Sequence, residues 1–307
     1  MTFSLVLEQA LNGLQFGIML FLIAAGLTLV FGIMNLINLA HGVLYMMGAY
    51  LCATVIEASG SFLLGVAAAI LGTMVLGIAI ELIAFRDLYR RTHLDQVLVT
   101  FGITLFLNEM VRIIWGPTAL YAAVPDFLSG QIDILPGAPY PTYRLVIIAV
   151  GILAGLLLYG LITYTRIGML IRAGASDRVM VDALGANIKL IYTVIFGVGA
   201  ALAALAGALA GPILAIESGM GNDMLILALV VIVIGGIGSI RGAFLASLLV
   251  GLVDTVGRTS LRPLLETLIS KTAADNAGPA LASMSIYILM AVVLFFRPQG
   301  LFPPRIR

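Results

Sequence analysis

Apolar residues run through this chain in stretches of about 20, one after another, broken by short polar interruptions. Residues 11–34, 62–85, 97–115, 143–164 and 190–216 are each long enough to cross a bilayer as a helix. Residues 43–56, 224–234 and 284–296 are shorter runs of the same character. Only 10% of the residues are charged and 62% are hydrophobic, whereas soluble domains carry roughly 25% charged residues. No soluble core absorbs that much apolar surface. The sequence predicts an all-α polytopic membrane protein, a single transmembrane domain over residues 1–307 with about nine spans, the breaks leaving room for eight or ten.

Charge then assigns sides. Lys and Arg beside spans mark the cytosolic face, which places there Arg86, Arg90 and Arg91, the 165–189 segment, and the C-terminus with its three arginines. Residues 116–142 hold Pro117, Pro125, Pro136, Pro139 and Pro141 with Asp126 and Asp133 and no Lys or Arg, so an extended outer, periplasmic loop is expected. The first ten residues carry Glu8 and no basic residue, so the first run is expected to remain as a span, with the N-terminus outside. Within 258–278, Leu261, Leu264, Leu265, Leu268 and Ile269 recur at helical spacing opposite Arg262, Glu266 and Lys271, the pattern of an amphipathic surface helix. Parity puts that helix outside, against its basic content.

Two apolar runs are interrupted by breakers. Asn35, Asn38 and His41 follow the first, while Gly235, Gly236, Gly238 and Gly242 surround Ser239 and Arg241. So many breakers predict discontinuous or re-entrant helices. Aligned on those breaks, His41-Gly42 falls opposite Arg241-Gly242, a possible internal repeat. Asn35, Asn38, His41, Gly235, Gly236, Gly238 and Ser239 are the candidates for a translocation path. His41 fits a ligand role or a hydrogen bond within the bundle equally, and Arg241 fits a charge at the membrane edge. The 190–216 run contains GVGAALAALAGALAG, whose small residues predict a central helix with other backbones pressed against it.

The 165–189 interruption is longer than a turn between spans needs. Met169, Ile171, Val179, Met180, Ala183 and Leu184 fall at spacings that would give one apolar side, with Ser176 or Asp177 placed to cap a short helix. A docking surface for a cytosolic partner is the expectation.

Several chemistries lack their residues. There is no GxxxxGK[ST] loop for ATP phosphates. Cys52 is the single cysteine and His41 and His93 the only histidines, so no disulfide, thiol-metal set or nucleophile–base pair emerges. A net charge of +1 gives no case for nucleic acid. An ion-coupled transporter calls for a lone carboxylate at membrane depth. Instead Glu81, Glu109 and Asp254 each have an arginine within helical reach, namely Arg86, Arg112 and Arg258. A passive channel would need more polar residues in the spans, and an enzyme more reactive groups.

NLINLAHG with MMGAY, TRIGMLIRAGASDRVMVDALGANI, GGIGSIRGA and the ending FRPQGLF, in that order along nearly the whole chain, resemble the LivH-type permease of bacterial ABC importers for branched-chain amino acids. The resemblance implies an inner-membrane subunit without cofactor. It implies as partners a second homologous permease, two cytosolic ATPase subunits and a periplasmic substrate-binding protein. Related permeases carry urea, amides or other amino acids. The family's cytosolic coupling segment maps here to Arg166, Gly168, Arg172, Ala173, Asp177, Ala183 and Gly185, though the Glu-Ala-Ala wording of other importers' docking loops is absent.

Overall fold

The computed structural model describes residues 3–302 except 35, 37, 90, 136, 137 and 268. Among them the chain forms α1 (Phe3–Met34), α2 (His41–Ser59) and α3 (Phe62–Ile80), which continues through a π turn (Glu81–Phe85) into the single turn α4 (Arg86–Leu88). Helix α5 (His93–Trp115) leads to the proline-rich stretch, which folds into a two-stranded antiparallel hairpin, β1 (Gln131–Leu135) and β2 (Ala138–Pro141). Then follow α6 (Thr142–Tyr164), α7 (Arg166–Ser176), α8 (Arg178–Ala183), α9 (Ile188–Ala210), α10 (Met220–Gly235), α11 (Ile240–Glu266) and α12 (Lys271–Phe296). Among the described residues eight helices are long and apolar enough to cross a membrane: α1, α2, α3 with its extension, α5, α6, α9, α11 and α12; α10, at 16 residues, is shorter. This is an all-α polytopic membrane protein.

Helix starts follow local chemistry. Ser61, Thr92, Thr165, Asp177, Asn187 and Ser239 each accept a backbone N–H from the first turn of α3, α5, α7, α8, α9 and α11, satisfying donors the helix itself leaves free. Thr92 and Asp95 complete a reciprocal capping box.

The core is built from small residues. Helices α1 and α9 are the most enclosed spans and lie against each other at Gly26 and Gly199. They run in opposite directions: Tyr140 of β2 donates to Asn12 near the start of α1, while Tyr143, at the start of α6, donates to the Leu209 carbonyl at the end of α9. Helix α11 packs antiparallel along α1, with Gly13 against Leu252 and Gly17 against Leu248, and α3 packs antiparallel along α9, with Gly77 against Ala200 and Glu81 bonded to Thr193. The triplet α1–α2–α3 thus has an inverted mate in α9–α10–α11, the arrangement of transporter folds with inverted-topology repeats.

That repeat has a different register from the one the sequence suggests. Gly42, at the start of α2, meets Gly221, at the start of α10; a Cβ on either would fall on the other's carbonyl oxygen. Arg241-Gly242 instead opens α11 at one end of the bundle, where Gly235 and Gly242 touch backbone to backbone in a tight α10–α11 hairpin. The turn needs Gly236 and Gly238 at φ of 101° and 82°, a region closed to most side chains. Breakers in the sequence mark a bend without saying how far the chain reverses.

Residues 258–278 also depart from expectation, since they are not one helix. Helix α11 continues to Glu266 and α12 begins at Lys271. The amphipathic spacing belongs to the end of a long span packed on its neighbour. Its polar side is consumed by ion pairs: Arg258 with Asp254 at 2.9 Å, and Arg262 with both Glu266 at 3.4 Å and Asp275 of α12 at 2.7 Å.

Candidate functional site

Most of the residues singled out in the sequence fall in two regions. The first is the crossing of α2 and α10. By His41 the chain has returned alongside the first span. The His41 imidazole Nε2 lies 3.2 Å from the Ile23 carbonyl, and His41 sits beside Gly26. Helix α2 therefore starts about 12–16 Å back from the end of α1, at mid-depth in the bundle. Helix α10 starts at the same level, because Gly221 meets Gly42. Two half-helices thus point their N-terminal ends, each carrying positive partial charge, at one central place. Asp223 in the first turn offsets this charge for α10, and no acidic residue does so in α2.

Polar groups at the start of α2 are only half used. Asn38 is buried, accepts the Ala40 N–H through Oδ1 at 3.0 Å, and leaves Nδ2 without a partner. His41 is fully enclosed, and with Nε2 donating to Ile23 its Nδ1 is a free acceptor. Of the other path candidates, Asn35 lies outside the described residues. Gly235, Gly236, Gly238 and Ser239 are in the α10–α11 hairpin, where Gly238 meets Gly32 of α1, about 9 Å along α1 from Gly26. Ser239 caps α11 there. The structure does not bring the two groups of candidates together.

The second region is the connection between α6 and α9. Helix α7 folds back on the end of α6: Gly168 lies on the Leu161 and Ile162 carbonyls, Arg172 donates to the Ile162 carbonyl, and Thr165 donates to the Leu161 carbonyl at 2.5 Å. A cation and a hydroxyl thereby satisfy carbonyls that the helix end leaves free. Asp177 caps α8, accepting from Met180 N at 3.0 Å. Gly185, at φ +83°, turns the chain out of α8, and Asn187 caps α9, accepting from Leu190 N at 3.1 Å. The unit is thus tied to both spans.

Its apolar residues do not form a single side. Gly168, Ile171 and Val181 face the protein, whereas Met169, Met180 and Leu184 are 56%, 58% and 80% exposed. The break at Asp177 turns α8 relative to α7, so periodicity across that break does not describe one face. Arg166, Asp177, Ala183 and Gly185 are exposed and Ala173 is half-buried.

Beside the start of α9 stands a group the sequence treats only as an ion pair. Glu81 is fully buried in the π turn, accepts from Tyr89 Oη at 2.8 Å and Thr193 Oγ at 2.7 Å, and has Arg86 at 3.9 Å. Burial, with the Glu81 hydrogen bond and charge adding to it, holds the Tyr89 phenol well above its ordinary range, so it stays a donor. The carboxylate joins the end of α3 to the start of α9. Glu109–Arg112 and Asp254–Arg258 likewise pair as their spacing predicts, at 3.3 and 2.9 Å.

A polar stripe on α5 is new. Gln96, Thr100 and Thr104 are buried at four-residue spacing, and Asn108, next in the series, has a buried Oδ1 without a partner. The Gln96 amide donates to the Leu88 carbonyl, and Thr104 to the Thr100 carbonyl one turn back. Four-residue recurrence was the available signal, hidden by counting polar residues per span instead of per face. Among the described residues, no group of three or more His, Cys, Asp or Glu gathers as a metal site.

Residues 9–294 match the family model described as the permease component of the branched-chain amino acid transport system. The chain is 33% identical over 311 residues to BraD, a high-affinity branched-chain amino acid transport system permease protein of Pseudomonas aeruginosa, covering 96% of this chain and 95% of the relative. It is 31% identical over 319 residues to LivH of Escherichia coli K12 and to LivH of Salmonella typhimurium, both described in the same words, covering 97% of this chain and 96% of each relative. No solved structure matches it.

Proposed function

From the premise that the chain belongs to the branched-chain amino acid transport permease family, and is therefore a transport permease subunit and not an enzyme, we propose that it serves an ATP-driven importer. In this reading it moves branched-chain or closely related amino acids across the bacterial inner membrane by alternating access. Its partners are a second homologous permease, two cytosolic ATPase subunits and a periplasmic binding protein that supplies the amino acid.

The observation that carries this reading is the α7–α8 unit. Three large apolar side chains, Met169, Met180 and Leu184, stand exposed on a segment outside the spans. Large exposed apolar side chains on such a segment suit a contact with another protein. The unit is held to α6 by Gly168 and Arg172 and to α9 by Asn187, so displacement by a docked ATPase would be passed to both spans. Arg166, Ala173, Asp177, Ala183 and Gly185 shape the docking surface. That face is cytosolic in this reading, as are the C-terminus and the α10–α11 hairpin, while the β1–β2 hairpin and the N-terminus are periplasmic.

The α2–α10 crossing is the moving part. It is closed here, with the Gly42 and Gly221 backbones in contact. Its separation would free the half-helix N–H groups, Asn38 Nδ2 and His41 Nδ1 for the charged ends of an amino acid whose side chain needs only apolar surroundings. Gly235, Gly236, Gly238 and Ser239 then act as the turn on which α10 swings. Asp177→Arg tests the docking assignment. It should abolish uptake and ATPase co-purification while the permease still inserts; a normal yield of bound ATPase would count against it.

A further inference from the structure

Between α6 and α11, on the outer face of the bundle, lies a groove of about 350 Å³. Ile152 and Leu156 of α6 form one wall and Leu245 of α11 the other. Phe21 and Phe244 pack edge-to-face at 5.1 Å beneath them. At one end stands a cation. Arg241 donates through Nη2 to Tyr159 Oη at 3.3 Å, and its guanidinium carbon lies 5.7 Å from the centre of the Tyr159 ring. None of the ion pairs among the described residues includes Arg241. A guanidinium has five N–H donors in a fork suited to phosphate, and this one spends a single donor on a neutral hydroxyl.

Depth identifies the occupant. Tyr159 is five residues from the end of α6, about 7.5 Å along the helix, and Tyr164 at that end packs against it at 6.4 Å between ring centres. Tyrosine and arginine at this position mark the headgroup level of a bilayer, with the apolar groove alongside. A helix of a second copy of this chain seated here would have to bring a carboxylate to this depth to meet the guanidinium, and Glu81, Glu109 and Asp254 are already paired within their own chain.

We propose that this groove is a binding site for an acidic phospholipid of the surrounding bilayer. The phosphate accepts from the Arg241 guanidinium and from the Tyr159 hydroxyl, and one acyl chain lies along Phe21, Leu156, Phe244 and Leu245. The site depends only on the protein's place in a membrane, so it stands or falls separately from ATP-driven import.

Native mass spectrometry of the permease, extracted with whatever subunits accompany it and titrated with phosphatidylglycerol or phosphatidylcholine, tests the site. Phosphatidylglycerol should be retained preferentially. Arg241→Gln should cut its binding about fivefold, the contribution of one arginine near an anionic surface, while Arg241→Lys keeps most of it. Leu245→Trp, filling the groove from its open side, should weaken phosphatidylglycerol without removing the charge. Equal retention of both lipids, or full phosphatidylglycerol binding by folded Arg241→Gln, would overturn the site. So would displacement of the lipid by millimolar inorganic phosphate, which would make it a simple anion site, or a cross-link from position 245 to a second permease.

Discussion

The α2–α10 crossing and the α7–α8 unit are both places where the chain departs from plain spanning helices, yet opposite physics holds them. At the crossing, backbones touch and nothing larger than hydrogen fits between Gly42 and Gly221. In the α7–α8 unit, single side chains tie down turns of helix, and the large apolar groups stand outward. The first is specified by absence of side chains and tolerates almost no change. The second is specified by particular side chains, each contributing a modest amount. Helix α9 touches both kinds of place: Asn187 caps its start beside the α7–α8 unit, and further along Thr193 donates to the buried Glu81 at the end of α3.

Substitutions that strain this contrast should rank in size. Gly42→Leu would drive a side chain into the Gly221 backbone; overpacking alone costs about 1–3 kcal/mol and here no side chain can give way, so folded permease should vanish from detergent extracts in size-exclusion profiles. Leu184→Asp puts charge on an 80% exposed residue. The permease should keep its melting temperature and lose co-purifying ATPase, and an unchanged complex would erase the proposed difference between the two regions. Thr193→Val removes one hydrogen bond to the buried Glu81 carboxylate, worth about 1.5–3 kcal/mol. Thermal melting should fall measurably while ATPase binding persists. Gly160→Ala is the smallest: its added methyl meets open space, and stability should stay within about 0.5 kcal/mol. A large loss there would show that small residues matter on α6 for reasons beyond close backbone approach.

Much of the architecture was legible in the residues themselves. Apolar run length located most of the spans, though not α11, one of the two cap candidates, Asp177, starts α8, and Glu81, Glu109 and Asp254 pair with the arginines their spacing selected. These features depend on neighbours within one or two turns, which the sequence states directly. The Gln96–Thr100–Thr104–Asn108 stripe was legible in the same way, had each face of α5 been read separately. The amphipathic reading of 258–278 failed because a helix end packed on a neighbour and a helix on a membrane surface share one periodicity.

By itself the sequence determined the class of solvent, the number of long apolar helices to within one or two, where most helices begin, and which charges find partners. Only the tertiary structure decided that His41 lies back inside the bundle, that α10 starts at mid-depth, and that Gly42 therefore faces Gly221 and not its counterpart in the hairpin. The physical reason is range. Capping and ion pairing are settled by atoms a few residues apart, whereas the depth at which a half-helix begins depends on which distant backbone is small enough to receive it. Glycine by its nature carries no side chain to say which partner that is.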